Sequence, residues 1–443
     1  AAAVLLPTAT AQNPVIRDQF SADPTARVFN DRMYIYPSHD IPGATEKLKE
    51  WFCMADYHVF SSDNLSDWTD HGVIISQERV PWVDAGSYSM WAPDCVFKDG
   101  RYYFYFPAAP KGEERGFRVG VAVADKPEGP FMPMRKPIDG INGIDPCVLV
   151  DDDGSSYIYW AGMGLRGARL SDDMMTLASE PVLIDGMPEG FKEGPFVFKR
   201  DGKYYFTFPW VQDKTETLAY AMGDSPLGPW KYAGHIMDHT PRTRGNHPGI
   251  IDYKGKSYCF GLNYDVFRLS ESRHAERRSV SAAEMEYNPD GTIRELPYFL
   301  ECKLEQIEPF SPYREVEAET MAWGYGLKTE PANPWARGAW NQLVTDIDDS
   351  EYIMLRGVDF GKGAKEFSID AMSHLYGGNI EIRTDSPDGP LAGIVEVGCT
   401  KDEMQRFTTP VKGLKGVHDL YLVFRGRDIQ KKNLFKLDRW SFK

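Results

Sequence analysis

One short pattern occurs five times in this chain, and it limits the fold more tightly than any other feature. Each copy joins a proline, alternating apolar residues, a polar turn and a run of aromatics. The copies are DPTARVFNDRMYIYP from Asp23, PDCVFKDGRYYFYFP from Pro93, DPCVLVDDDGSSYIYW from Asp145, EGPFVFKRDGKYYFTF from Glu193 and HPGIIDYKGKSYCFGL from His247. The period of two marks strands, and the central Asn-Asp, Asp-Gly or Lys-Gly is hairpin-turn chemistry. Pro24, Pro93, Pro146, Pro195 and Pro248 stand 69, 53, 49 and 53 residues apart, the spacing of four-stranded blades. The second half of each unit repeats too, as in HVFSSDNLSDWTDHGVII and LAYAMGDSPLGPWKYAGHIM, which supply a third and a fourth strand. The expectation is an all-β chain with a five-bladed β-propeller over residues 13–308.

After Pro309 the motif stops, and residues 313–443 carry alternating strands such as EYIMLRGVDF, AKEFSIDAMS, NIEIRTD, HDLYLVFRG and FKLDRWSFK. Short strands between Gly, Asp and Pro turns predict a β-sandwich (jelly-roll) domain.

The repeat also says where chemistry collects. In a propeller the first strand of each blade runs nearest the axis, so the residues that open those strands converge. Asp23, Asp145 and Glu193 open the first, third and fourth copies. Crowded carboxylates raise one another's pKa and take separate roles, which suits glycoside hydrolysis: one carboxylic acid for the leaving oxygen, one carboxylate for water. The blander reading of a single Asp-Pro, a turn cap, loses weight when three acids recur in register.

Composition agrees with a sugar-binding protein. Aromatic content is 13%, and a net charge of −15 argues against nucleic acid or an anionic membrane surface as partner. No stretch is apolar enough to span a membrane. Residues 1–12, AAAVLLPTATAQ, end near a small-x-small pattern and are expected to be a signal-peptide remnant, which places the protein outside the cytoplasm, periplasmic or extracellular. The six cysteines are scattered singly without a CxxC pair, so neither zinc nor a disulfide framework is expected. Gly162, Gly164 and Gly167 form a GxGxxG string without a following helix, and Asp151-Asp152-Asp153-Gly154 lacks the closing Glu of a calcium loop. Both are expected to be strand links.

The combination ADPTARVFNDRMYIYPSHD, MWAPD, NGIDP and EGPFVFKRDGKYY resembles glycoside hydrolase family 43 through all five copies. The resemblance implies Asp23 as general base, Asp145 as the residue that orients the acid and raises its pKa, and Glu193 as general acid, with inversion at the anomeric carbon. Around the acids, Trp91 and Asp94 of MWAPD open the second copy and His39 of YPSHD follows the first hairpin, which makes all three candidate substrate contacts. Arg278 of RRSV resembles an arginine that contacts the sugar in some relatives; an exposed charge is the alternative, and neighbouring Arg277 competes for the role. Packing between blades is the alternative for Trp91. His247 matches a histidine that lies close to a calcium or water in the family's central channel; a hydrogen-bonded core histidine is the alternative.

The segments EVEAETMAW, VDFGKGAKEFSIDA, GGNIEIRTD, VHDLYLVFRG and FKLDRWSF resemble a family 6 carbohydrate-binding module. That resemblance implies a structural calcium held by Glu317, Glu319 and Asp438. It departs at the usual sugar cleft: TKDEMQRF has no tryptophan and Lys436 stands near the expected asparagine, leaving Trp335 or Trp340 as stacking candidates. The implied activity is an inverting exo-glycosidase without an organic cofactor, acting on arabinoxylan, arabinan or xylo-oligosaccharides. An α-L-arabinofuranosidase comes first, a β-D-xylosidase or bifunctional enzyme second, and a non-catalytic glycan-binding propeller is the rival of another class.

Overall fold

The computed structural model describes residues 10–11, 13–49, 51–113, 116–212, 215–237, 246–263, 278–302, 304–333 and 341–443. The protein is all-β, with three single-turn 3-10 segments among the described residues. It divides into two compact units. One holds Gln19–Val59 and Val73–Lys303; the other gathers Phe60–Gly72 and Leu304–Lys443 with the N-terminal residues up to Asp18.

Each repeat forms one antiparallel sheet in sequence order. The first runs Ser21–Phe29, Arg32–His39, Asp56–Ser62 and Trp68–Ser76; the second Asp94–Lys98, Arg101–Ala108, Arg118–Ala124 and Met132–Pro133. The third runs Ile144–Val150, Ser156–Gly162, Gly164–Leu170 and Val182–Leu183; the fourth Phe196–Arg200, Lys203–Gln212, Thr215–Gly223 and Trp230–His235. The fifth has three strands among the described residues, Gly249–Tyr253, Lys256–Asn263 and Ser279–Met285. The turns have the chemistry the sequence predicts: Asn30 and Asp31, Asp99 and Gly100, Asp201 and Gly202, and Lys254 and Gly255 all adopt positive φ, as a two-residue hairpin with right-twisted strands requires. The GxGxxG glycines lie in the hairpin of Ser156–Gly162 and Gly164–Leu170, and Asp151–Gly154 link Ile144–Val150 to its partner.

The five opening strands touch in cyclic order, each meeting the opening strand of the next sheet and the fifth meeting the first. Gly249 shows how close that last approach is, since a Cβ there would stand 2.3 Å from the Pro24 carbonyl oxygen. All five repeat prolines line one void of about 20 Å³, together with the residue before each: Asp23, Ala92, Asp145, Gly194 and His247. Between sheets the aromatic runs interlock; Tyr36, Tyr57, Phe104 and Phe106 lie in one buried cluster, and Tyr159, Tyr205, Phe206 and Trp230 in another. All six cysteines are free, and four are buried. Burial pushes the thiols of Cys95, Cys147 and Cys259 far up, which makes them inert apolar filler.

The other unit contains two antiparallel sheets around a single apolar core. One orders Lys328–Pro331, Gln342–Thr345, Lys436–Phe442, Glu366–Met372 and Gln405–Pro410; the second orders Trp323–Tyr325, Tyr352–Asp359, Val417–Gly426, Gly378–Thr384 and Leu391–Val397. Phe367, Trp440 and Phe442 from the first meet Leu355, Ile382, Leu422 and Phe424 from the second. Residues 1–9 and 12 of the expected signal-peptide remnant lie outside the described residues, while Thr10–Ala11 pairs with Leu304–Glu305.

Candidate active site

A cavity of about 500 Å³ opens at the starts of these opening strands. Asp23, Asp145 and Glu193 all line it, with Trp51, Phe52, Met54, Trp91, Lys192, Glu216, His247 and Arg278. Its size suits a small sugar ring with part of a leaving group.

Two of the acids are set by the same backbone device. Asp23 and Asp145 each precede a proline, adopt φ of +50° and +55°, and sit where the register of their hairpin shifts. Left-handed backbone is costly for a residue with a Cβ, and it turns each carboxylate out of the strand ladder. Glu193 departs from strict equivalence. The matching position in the fourth copy is Gly194, at φ +64°, and Glu193 lies one residue earlier. Gly194 cannot carry a side chain, because a Cβ would stand 2.8 Å from the Pro209 ring and 3.0 Å from His247 Cδ2. Its N–H donates to Asp145 Oδ2 at 2.9 Å, which ties the backbone beside Glu193 to the neighbouring acid.

Asp23 is held by donors on both oxygens. Arg278 donates to Oδ1 at 2.7 Å and Ser38 Oγ to Oδ2 at 2.5 Å, and His247 Nδ1 lies 3.6 Å from Oδ1. Arg278 is itself only 2% exposed and is fixed by Asp40, which accepts from its backbone N–H at 2.9 Å, its Nε at 3.0 Å and its Nη2 at 2.9 Å. The guanidinium stacks on Phe52 at 4.7 Å, so three directions of approach are filled.

Asp145 is pushed up to about 7. Burial is the main cause, the charges of Glu193 and Asp23 add to it, and His247 and the Gly194 N–H pull the other way. Burial draws the His247 imidazole down, but Asp23, Asp145 and Glu193 outweigh it and leave its pKa raised. His247 thus stands among three carboxyls, whose charges favour its protonated form.

The remaining sequence expectations divide. Trp91 lines the cavity while packing on Phe117 at 4.6 Å and Phe52 at 5.9 Å, and Tyr57 Oη donates to its carbonyl at 2.6 Å. Asp94 does not line the cavity. It follows its proline instead of preceding it, and it is consumed by Arg27 Nη2 at 2.7 and 2.8 Å and by the N–H groups of Cys95 and Val148. Arg27 also reaches the Cys95 carbonyl and stacks on Phe196, so this buried pair pins the opening strands together. His39 is likewise outside the cavity. Strand alternation aims Ser38 and Asp40 at Asp23 and Arg278, and His39 to the opposite face, where its Nδ1 meets Asp56 at 2.7 Å. Arg277 lies outside the described residues, as do Trp335 and Trp340.

Sequence reasoning missed Ser38, Asp40, Phe52, Trp51 and Glu216. The first two were legible: they flank His39 at the spacing that shares a face with the catalytic side. Phe52 and Trp51 come from the long connection between Arg32–His39 and Asp56–Ser62, outside the repeated motif.

In the second unit, Glu317 Oε2 and Glu319 Oε2 are buried oxygens without a hydrogen-bond partner. Burial raises both carboxyls, Glu319 strongly, and Asp438 adds to each. Asp438 accepts from Asn341 Nδ2 at 2.8 Å. Orphaned carboxylate oxygens beside a third carboxylate are a donor set of hard oxygens, which fits calcium. Lys436, at the place of the expected asparagine, is paired with Glu330.

Comparison with known proteins decides the family. The profile of Glycosyl hydrolases family 43 matches residues 11–293, well over half of the chain. The chain belongs to glycoside hydrolase family 43. The profile of Carbohydrate binding module (family 6) matches residues 317–443. An arabinoxylan arabinofuranohydrolase of Bacillus subtilis is 30% identical, with 97% of this chain and 92% of the relative covered. A xylosidase/arabinosidase 43A of Humicola insolens is 39% identical over 63% of this chain and 98% of its own length. The crystal structure of a family 43 arabinoxylan arabinofuranohydrolase from Bacillus subtilis with cellotetraose has a TM-score of 0.84 and 29% identity, over 98% of this chain and 97% of that one. As a family 43 member the protein is a glycoside hydrolase, and its fold is that of its family neighbours.

Proposed function

We propose that this protein is an inverting exo-glycosidase that releases terminal α-L-arabinofuranosyl groups from arabinoxylan or arabinan. The observation that carries the reading is the meeting of Asp23, Asp145 and Glu193 in one cavity with the Arg278–Asp40 brace behind Asp23. Glu193 is assigned as general acid, giving its proton to the glycosidic oxygen as the C1–O bond breaks. Asp23 takes a proton from the water that attacks C1 from the opposite face. Asp145 orients the acid through Gly194 N–H and modulates its protonation. Arg278 and Trp91 contact the sugar bound in the cavity.

We place these groups in a five-bladed propeller, supported by the cyclic contact of the five opening strands and the single void shared by the five prolines. A β-sandwich follows, with calcium bound at Glu317, Glu319 and Asp438 in a structural role. Export, read from the N-terminal sequence, accords with a polymeric substrate. The relatives' names favour arabinoxylan first, while the Humicola relative keeps β-D-xylosidase as a second reading.

A panel of aryl α-L-arabinofuranoside, β-D-xyloside and β-D-galactoside, followed by arabinoxylan and arabinan, tests the assignment. Release of arabinofuranose from the natural polymers that disappears in Glu193→Gln, with the variant still folded, is expected. Full activity of Glu193→Gln on the natural polymers contradicts the acid assignment, and a preference for xyloside moves the enzyme to the second reading.

A further inference from the structure

The face turned away from the catalytic acids carries a different constellation. Asp56 and His58 stand two residues apart on Asp56–Ser62 and share one side of that strand, while His39 closes the adjacent strand Arg32–His39. One ligand atom from each of the three lies within 4.8 Å of the other two. His58 is buried, and the side chains of His39 and Asp56 are about one-fifth exposed, so water and ions reach the group while most of it is screened. The His39 Nδ1 to Asp56 Oδ1 contact of 2.7 Å and the 5.0 Å, 73° packing of the two imidazoles hold the three side chains converging.

We propose that His39, Asp56 and His58 form a binding site for a divalent transition ion, with Zn²⁺ as the best match. Two imidazoles and one carboxylate are the donor set of such ions and a poor one for calcium or magnesium, which prefer oxygen ligands in larger number. Three protein ligands leave a fourth position for water. Binding breaks the hydrogen bond between His39 Nδ1 and Asp56, any proton on Nδ1 passing to Nε2 or to water, and one atom of each of the three residues then bonds to the ion. Its place in the fold gives the site a role. His39 is followed directly by Asp40, the residue that fixes Arg278, so an ion there braces the strand end that carries the catalytic brace without touching substrate.

The test uses the full chain, stripped with a chelator and titrated with Zn²⁺ by calorimetry, with Co²⁺ absorption in the visible as a second readout. One ion per chain is expected, and His58→Ala and Asp56→Asn should each weaken it by about 100-fold or more. His374→Ala, at a separate exposed His–Asp pair with Asp402, should leave it unchanged. The isosteric Asp56→Asn keeps the test valid if removal of a buried histidine prevents folding. Zn²⁺ should raise the melting temperature of the wild type and of His374→Ala, but not of Asp56→Asn. The proposal is overturned if the wild type binds no ion, if binding survives both His58→Ala and Asp56→Asn, or if His374→Ala abolishes it.

Discussion

Asp40→Asn separates a preorganised base from one that merely stands in the cavity. Asp40 is 1% exposed and receives three hydrogen bonds from Arg278, at 2.9, 3.0 and 2.9 Å. Asparagine keeps one acceptor oxygen, turns the other into an amide donor that faces guanidinium N–H groups, and removes a charge from a buried pair. Breaking such a pair costs about 3–5 kcal/mol; because Arg278 keeps Asp23 as a partner, the lower end applies, about 3 kcal/mol. At about 2–4 °C per kcal/mol for a domain of this size, the melting temperature should fall by roughly 6–12 °C. The catalytic effect adds to this, because Arg278 Nη1 positions Asp23, and misplacing a catalytic group by about 1 Å costs on the order of 100-fold. Thermal unfolding and hydrolysis of an aryl arabinofuranoside, measured on one preparation, give both numbers. A variant with the wild-type midpoint and the wild-type kcat/KM would refute the reasoning, since the buried brace would then do nothing for the base.

Other outcomes follow from the same geometry. Gly194→Ala should destabilise by about 1–3 kcal/mol and lower activity, because φ is +64° and the new Cβ meets Pro209 and His247; unfolding curves and assays check both. Glu193→Gln removes one of the charges that push Asp145 up, so the Asp145 carboxyl should titrate lower in the variant when followed by carbon NMR. Because folding raises the Asp145 pKa from about 4 to about 7, that group favours the folded state at low pH and loses its contribution as pH rises through this window. Asp145→Asn should therefore gain stability relative to wild type between pH 4 and pH 8 in denaturant titrations. Calcium should raise the unfolding temperature of the wild type and a chelator should lower it, whereas Glu319→Gln should respond to neither.

The repeated antiparallel sheets were legible because hairpin chemistry is local: alternation, a positive-φ turn and a proline recur within about fifteen residues. The convergence of Asp23 and Asp145 was legible for the same reason, since both precede the proline. Glu193 was read from the same repeat although it stands one residue out of that register, with Gly194 directly before the proline, while Asp94 was misjudged because it follows its proline and faces Arg27. His39 was read from its chemistry alone, although counting faces along RMYIYPSHD would have selected Ser38 and Asp40. Trp51 and Phe52 lie in a non-repeated connection whose path depends on tertiary packing, and no periodicity announces where such a segment returns to the cavity. In the second unit the strands Tyr352–Asp359, Glu366–Met372, Gly378–Thr384, Val417–Gly426 and Lys436–Phe442 could be read from alternation, whereas the polar edge strand Gln405–Pro410 could not.

The central claim is that Asp23 and Glu193 act on opposite faces of one sugar. Proton NMR of the first product formed from an aryl α-L-arabinofuranoside, recorded before mutarotation, tests it most directly. Inversion predicts that β-L-arabinofuranose appears first, and that Asp23→Asn forms neither anomer at a significant rate. First appearance of the α anomer would contradict the account, because Asp23 would then be a nucleophile rather than the base that activates water.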